Sequence, residues 1–162
     1  MKNTSLCYIE SPSGYLMLHR VKKENDENRD KWIGIGGKFE YGETPKECAT
    51  REIREETGLI FAEKDLKARG IVTFVSDEWG TEYMFLFTAS LSDAEGRPDE
   101  ASVPAENPEG LLEWVAKEKV TDLPIWEGDR IFLRLLAENA PYFSLKLVYS
   151  GDRLAESKLS VC

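Results

Sequence analysis

The densest chemistry in the sequence is Arg51-Glu52-Ile53-Arg54-Glu55-Glu56, three carboxylates and two guanidiniums within less than two helical turns. Glu52 and Glu56 are four residues apart and Glu55 is three from Glu52, so on a helix all three are neighbours on one side. Like charges at that spacing cost roughly 0.2–0.5 kcal/mol per pair. They also lie toward the C-terminal end, where the helix dipole disfavours anions. Two readings offset that cost. In one, the face is solvated and its charges pair locally, Glu47 with Arg51 and Arg51 with Glu55. In the other, the carboxylates converge on a hard cation beside the Gly-rich stretch Ile33-Gly34-Ile35-Gly36-Gly37. All-oxygen donors suit Mg²⁺, with Mn²⁺ as a substitute. The single histidine, His19, disfavours a zinc site. Protein-bound Mg²⁺ shares phosphate oxygens, so the ligand expected is a di- or triphosphate, and a surplus carboxylate is available to take a proton from the attacking water.

Those residues must be held by a fold. The helix expected over residues 45–57 has its own signals: Thr44 as cap, Pro45 at the first position, Glu47 completing a capping box, and Gly58 past the last turn. Cys48, Ala49, Ile53 and in part Glu52 form its inward face. Upstream, Thr4 to Glu10 and Tyr15 to Arg20 read as a hairpin through Ser11-Pro12-Ser13-Gly14. Lys22 to Lys31 reads as an exposed charged loop. Downstream, Ala68 to Ser76 and Glu82 to Leu91 read as strands around a turn at Asp77 to Gly80. Ser92 to Gly110 reads as a long acidic loop, and Leu111 to Val115 as a strand. A second helix is expected from Glu127 to Ala137, with Ile131, Phe132, Leu135 and Leu136 on one face. Pro141 breaks it, and Phe143 to Tyr149 reads as the last strand. Without regular βαβ alternation, the pattern predicts an α/β fold, helices packed on a mixed sheet.

The chain has 162 residues, 41% of them hydrophobic, and 30 acids against 21 Lys and Arg, a formal charge of −9. One domain of this length buries roughly 70% of its unfolded surface and needs no disulfide or structural zinc. The acidic excess argues against polymeric nucleic acid as a partner, because that grip comes from basic residues on phosphates. Cys7, Cys48 and Cys162 lie far apart without CxxC spacing and read as reduced thiols. The N-terminus lacks a signal-peptide pattern, and no stretch approaches the ~20 apolar residues of a membrane span, which predicts a cytoplasmic protein.

Residues Gly37-Lys38-Phe39-Glu40-Tyr41-Gly42-Glu43, then seven residues, then Arg51 to Leu59 match the Nudix box, G-x5-E-x7-R-E-U-x-E-E-x-G-U, at every specified position. The chain therefore resembles the Nudix hydrolases over its whole length. The resemblance implies a single α/β/α sandwich domain spanning residues 1–162 that hydrolyses a nucleoside diphosphate linked to another group, using Mg²⁺. It implies Glu52, Glu55 and Glu56 as metal ligands, with the Gly36 carbonyl as a further one. Arg51 would orient the carboxylates, and Glu43 would brace the loop or reach a water of the metal. The base is left open, with Glu56 and Glu52 ranked ahead of Glu109.

The stretches Lys31 to Lys38, Pro108 to Val115 and Pro124 to Asp129 resemble the MutT-type branch of 8-oxo-dGTP diphosphatases, which sanitise the nucleotide pool in support of DNA repair. That resemblance implies Trp126 and Asp129 at the base and Glu109 near the metal. Trp126 has a π surface for stacking and Asp129 an acceptor for N–H groups; equally, Trp126 could pack under the second helix and Asp129 sit in its first turn. Arg20, Lys22 and Lys23 are candidate phosphate contacts. Mammalian members have Asn where this chain has Ile33 and a second Asp where it has Gly128, so the base preference stays open. Other Nudix substrates, such as ADP-ribose or a dinucleoside polyphosphate, and a nucleotide-sensing module without turnover remain alternatives. Oligomeric state is not readable from these residues.

Overall fold

The computed structural model describes residues 1–161; Cys162 lies outside the described residues. The strands are β1 (Lys2–Ser11), β2 (Gly14–Arg20), β3 (Trp32–Ile33), β4 (Ile35–Lys38), β5 (Lys67–Ser76), β6 (Gly80–Ser90), β7 (Glu106–Asn107), β8 (Gly110–Val115), β9 (Phe143–Ser150) and β10 (Arg153–Val161). The helices are α1 (Pro45–Thr57), α2 (Lys117–Val120) and α3 (Asp129–Ala137). One mixed sheet runs β10-β9-β5-β6-β1-β2-β8-β7. β1 lies parallel to β6 and β5 parallel to β9; the remaining pairs are antiparallel.

Period-two side-chain alternation gives the sheet two buried faces. On β1 and β2, Leu6, Tyr8, Tyr15 and Met17 pack with Phe132, Leu133 and Leu136 of α3. Their neighbours Cys7, Ile9, Leu16 and Leu18 pack with Ala49 and Ile53 of α1. One helix thus covers each face, the α/β/α sandwich expected. Cys7 and Cys48 are buried free thiols, and burial pushes the Cys48 thiol up to about 11.

The feature that positions the site is a split in this sheet. β1 and β2 pair only beside their turn, at Glu10↔Tyr15 and Ser11↔Gly14. Farther along they diverge, and β4 takes the freed edge of β1 from Thr4 to Cys7 while β3 takes that of β2 at Leu18 and His19. The Gly-rich stretch is therefore two short strands wedged into the split. Gly36 is required there: a Cβ would sit 1.8 Å from the Ser5 carbonyl oxygen.

Several expected boundaries change. A further strand, β10, follows Phe143–Ser150; its largely polar, exposed sequence carries no half-buried alternation to read. The acidic segment 92–110 holds the short strand β7 and a 3₁₀ turn at Glu100–Ser102, the latter capped by Asp99. The short helix α2 was not anticipated. The second helix starts at Asp129, because Trp126 to Gly128 form a turn, and its buried face is Asp129, Phe132, Leu133 and Leu136. Ile131 and Leu135 pack only partly.

Candidate active site

α1 is set by its ends. The Thr44 hydroxyl accepts from the Glu47 N–H (3.1 Å), and the Glu47 carboxylate accepts from the Thr44 N–H (2.9 Å). Gly58 closes the other end at φ 79°, donating to the Arg54 carbonyl. With the helix phase fixed, Arg51 becomes the hub of the acidic cluster. Its guanidinium donates to both Glu43 oxygens (2.6 and 2.9 Å), to Glu52 (2.9 Å), to Glu55 (3.2 Å) and to the Lys38 carbonyl (3.0 Å). Glu43 also accepts from the Glu40 N–H, and Arg51 holds its carboxyl below the usual carboxylate range. Of the two local pairings expected for a solvated face, Arg51 with Glu55 forms, whereas Glu47 is used by the cap.

Glu56 faces the other way, into the split. It is buried, one oxygen accepts from the Gly36 N–H (3.2 Å), and the other has no hydrogen-bond partner among the described residues. Burial first, then the neighbouring Glu109 and Glu52, pushes its carboxyl far up. Burial likewise raises Glu52, against the pull of Arg51. Opposite them, Asn107 was missed by reading the sequence. Its amide donates to the Glu56 carbonyl (3.2 Å), while its own oxygen accepts from the N–H groups of Glu109 and Gly110. It ties the end of α1 to the turn carrying Glu109; the signal was the turn-forming run Asn107-Pro108-Glu109-Gly110. Burial opposes ionisation of Glu109, yet Arg20 (3.2 Å) and Lys23 (3.1 Å) help hold its carboxyl low.

Arg20 also grips Asp26 at 2.8 Å. Arg20, Lys23, Glu52, Glu55 and Glu109 line one cleft of about 680 Å³, with Gly36 and Gly37 in its wall. Lys22 is elsewhere. It pairs with exposed Glu106 at 2.8 Å and does not line the cleft. Of the three candidate phosphate contacts, the structure brings Arg20 and Lys23 to the cleft and not the Lys22 side chain.

Beside the cleft lies a smaller aromatic recess of about 50 Å³, walled by Phe74, Trp126, Tyr149 and Asp129. Glu27, Asn28, Ile33, Trp79 and Glu82 line both spaces, so the two adjoin. Trp126 is only 6% exposed. Its indole N–H donates to Asn28 (2.8 Å), Lys31 sits over its ring at 4.7 Å, and Phe74 and Tyr149 meet it edge to face. It is thus both core and wall, and its broad face is not presented as an open platform. Asp129 is 4% exposed and its carboxylate makes no hydrogen bond or ion pair among the described residues. Burial first, then Glu82, pushes it up to about 8.

The site fits a hard cation in its donor chemistry. The donors are all oxygen, Glu56 leaves one buried oxygen unused, and Gly37 lacks the Cβ that would sit 2.7 Å from the Glu52 carboxylate. Among the described residues, three acids do not form a ready-made cage. Glu55 in particular has a half-exposed side chain drawn onto Arg51. Glu52, Glu56 and Glu109 are the acids that lie together.

The NUDIX domain family matches residues 2–136. An uncharacterized Nudix hydrolase of Bacillus subtilis (strain 168) is 29% identical over 132 residues, covering 80% of this chain and 75% of the relative. A protein of Danio rerio named oxidized purine nucleoside triphosphate hydrolase is 27% identical over 129 residues, covering 80% and 77%. A crystal structure of a MutT protein from Bacillus halodurans superposes with a TM-score of 0.82 at 26% identity, covering 99% of this chain and 98% of that one. No helix among the described residues is long and apolar enough to cross a membrane.

Proposed function

Because the chain belongs to the Nudix hydrolase family, we propose that it cleaves a nucleoside triphosphate to the monophosphate and pyrophosphate with Mg²⁺, its preferred substrates being oxidised purine nucleotides such as 8-oxo-dGTP. The observation that carries this reading is that two unlike spaces share a wall. A charged cleft with Arg20 and Lys23 suits phosphates, and an aromatic recess at its side suits a base. The naming of the Danio rerio relative and the fold match to a MutT protein support the same choice.

Glu52, Glu56 and Glu109 would hold the cation, with the Gly36 carbonyl and Glu55 completing the set. A Mg²⁺ held by these residues would supply charge to offset the phosphates and would make a water easier to deprotonate. The protein's own residues do the rest. Arg51 fixes Glu52 and, through Glu43, the loop beside it, so the carboxylates need little reorganisation when substrate arrives. Glu56 is the best-placed base: one oxygen is anchored by Gly36 and the other has no partner, and a cation bound beside it would offset the burial that keeps its carboxyl protonated in the free protein. Arg20 and Lys23 exchange Glu109 and Asp26 for phosphate oxygens. Trp126 and Asp129 border the base.

A nucleotide panel with Mg²⁺, following pyrophosphate against orthophosphate, tests the proposal. Pyrophosphate release and a clear preference for 8-oxo-dGTP over dGTP are expected. Equal rates on the two would reject the sanitising role, and turnover of ADP-ribose or a dinucleoside polyphosphate alone would reassign the substrate within the family.

A further inference from the structure

The recess holds a second acid. Glu82, on β6, is largely buried and lines both the recess and the cleft mouth. Its carboxylate accepts from the Thr4 hydroxyl at 2.7 Å and faces the Lys2 ammonium at 3.6 Å. Lys2 is shared with Glu27, which hydrogen-bonds it. Two oxygens offer about four acceptor directions, so these partners leave Glu82 with acceptor capacity toward the open space.

Across the recess, Asp129 is in the opposite condition. It is 4% exposed, and no donor among the described residues reaches its carboxylate. Its N-terminal place on α3 does not explain this, because Asp129 lies inside the helix rather than at the cap. Burying a carboxyl without partners is costly unless it is neutral or a ligand supplies them. After burial, Glu82 is the main negative influence on it, Lys31 and Arg130 the positive ones. Burial raises the Glu82 carboxyl as well, but Glu82 keeps a hydroxyl and a cation that favour its charged form while Asp129 has neither, so the ionised form resides on Glu82 and the neutral form on Asp129.

The chemistry of that pair is directional. An ionised carboxylate accepts two N–H groups in parallel, whereas a neutral carboxyl donates one hydrogen and accepts another. We infer that Glu82 is a specificity-determining residue: it accepts the adjacent N–H groups of a 2-amino-6-oxopurine while Asp129 donates to the 6-oxo group, so that the recess favours guanine-type bases over adenine-type ones. An adenine edge would turn a ring-nitrogen lone pair toward Glu82. The small volume of the recess suits the polar edge of a base, with the ring plane left in the mouth beside Trp79.

This inference rests on the proposed nucleotide site, but binding separates it from turnover. GMP, IMP and AMP would be titrated calorimetrically into the wild-type protein, Glu82→Gln and Thr4→Val, alongside kcat/KM for the three triphosphates. The wild type is expected to favour GMP over AMP by at least about tenfold, with IMP between them for want of the 2-amino group. Glu82→Gln should bring GMP and AMP to within about twofold of one another at an unchanged melting temperature. Thr4→Val removes a brace and leaves the acceptor, so the preference should persist. The inference is overturned if the wild type has no guanine preference, if Glu82→Gln keeps it, or if Thr4→Val loses it equally. Selective GMP binding with no turnover of any triphosphate would sustain the inference and reject the proposed activity.

Discussion

The cleft and the recess adjoin, yet they are built by opposite means. Glu52 and Glu55 of the cleft come from one helix, α1, and their organising cation, Arg51, lies on the same stretch of it. The recess draws Phe74 from β5, Glu82 from β6, Asn28 from a loop, Asp129 from α3 and Tyr149 from β9. In the cleft, excess negative charge is spread over Arg51, Arg20 and Lys23. In the recess, an acid is buried with little to balance it. The first arrangement is suited to a cation and phosphates, the second to reading hydrogen bonds, where an unpaired buried group gives the largest discrimination.

The largest effect should come from Glu56, the acid behind the cleft that resembles the recess in burial. Glu56→Gln retains size and the acceptor for the Gly36 N–H but cannot take a proton. A fall in kcat of about 10²–10⁴-fold is expected, with the melting temperature held, because burial already keeps this carboxyl neutral in the free protein and Gln matches its size. Steady-state kinetics beside thermal unfolding checks this. Near wild-type kcat would move the chemistry to Glu52 or Glu109 and leave Glu56 as a mere wall.

That contrast also decides what could be read before the fold was known. α1, its cap, Gly58 and the carboxylate spacing are local, so residue order alone carries them. Arg51 holding Glu43, and the Gly36 to Glu56 contact, follow from a loop and helix adjacent in sequence. Glu82 could not be singled out, because its meaning depends on Asp129, brought beside it only when α3 packs on the sheet. Asn107 was hidden for the same reason, its partner being the backbone of Glu56. Lys22 and Lys23 differ by one residue, and only the course of the chain after β2 separates them. β10 gave no periodic signal because its side chains are exposed on both faces.

A smaller effect separates the regions by pH. Asp129 is pushed from 3.8 up to about 8, burial acting first and Glu82 next. Between those values the folded protein keeps a proton that the unfolded chain has lost, so stability falls as pH rises through this window. Glu43 has the reverse sign. Arg51 lowers its carboxyl, and its contribution is present above the unfolded value and lost as pH falls. Asp129→Asn should therefore gain melting temperature over the wild type increasingly from pH 4 to 8 and level off beyond, reaching at least about 2 °C, the shift that 1 kcal/mol gives in a domain of this size. Unfolding scans across pH check it; a difference independent of pH would mean that Asp129 is already ionised in the recess.

The smallest effect tests where the cleft ends. Lys23 reaches Glu109 at its rim, while Lys22, one residue earlier, is engaged by exposed Glu106 outside it. Exposed pairs of that kind contribute about 0–1 kcal/mol, so neither substitution should unfold the protein. Lys23→Ala removes a cation from the path of the phosphates and should raise KM about threefold to tenfold, more at low salt than at high, because the interaction is screened. Lys22→Ala should leave KM within about twofold at either salt. Equal effects from the two would show the lysines acting as a diffuse positive field, in which case the cleft's boundary at Lys23 has no functional meaning and steering, not contact, is what this loop supplies.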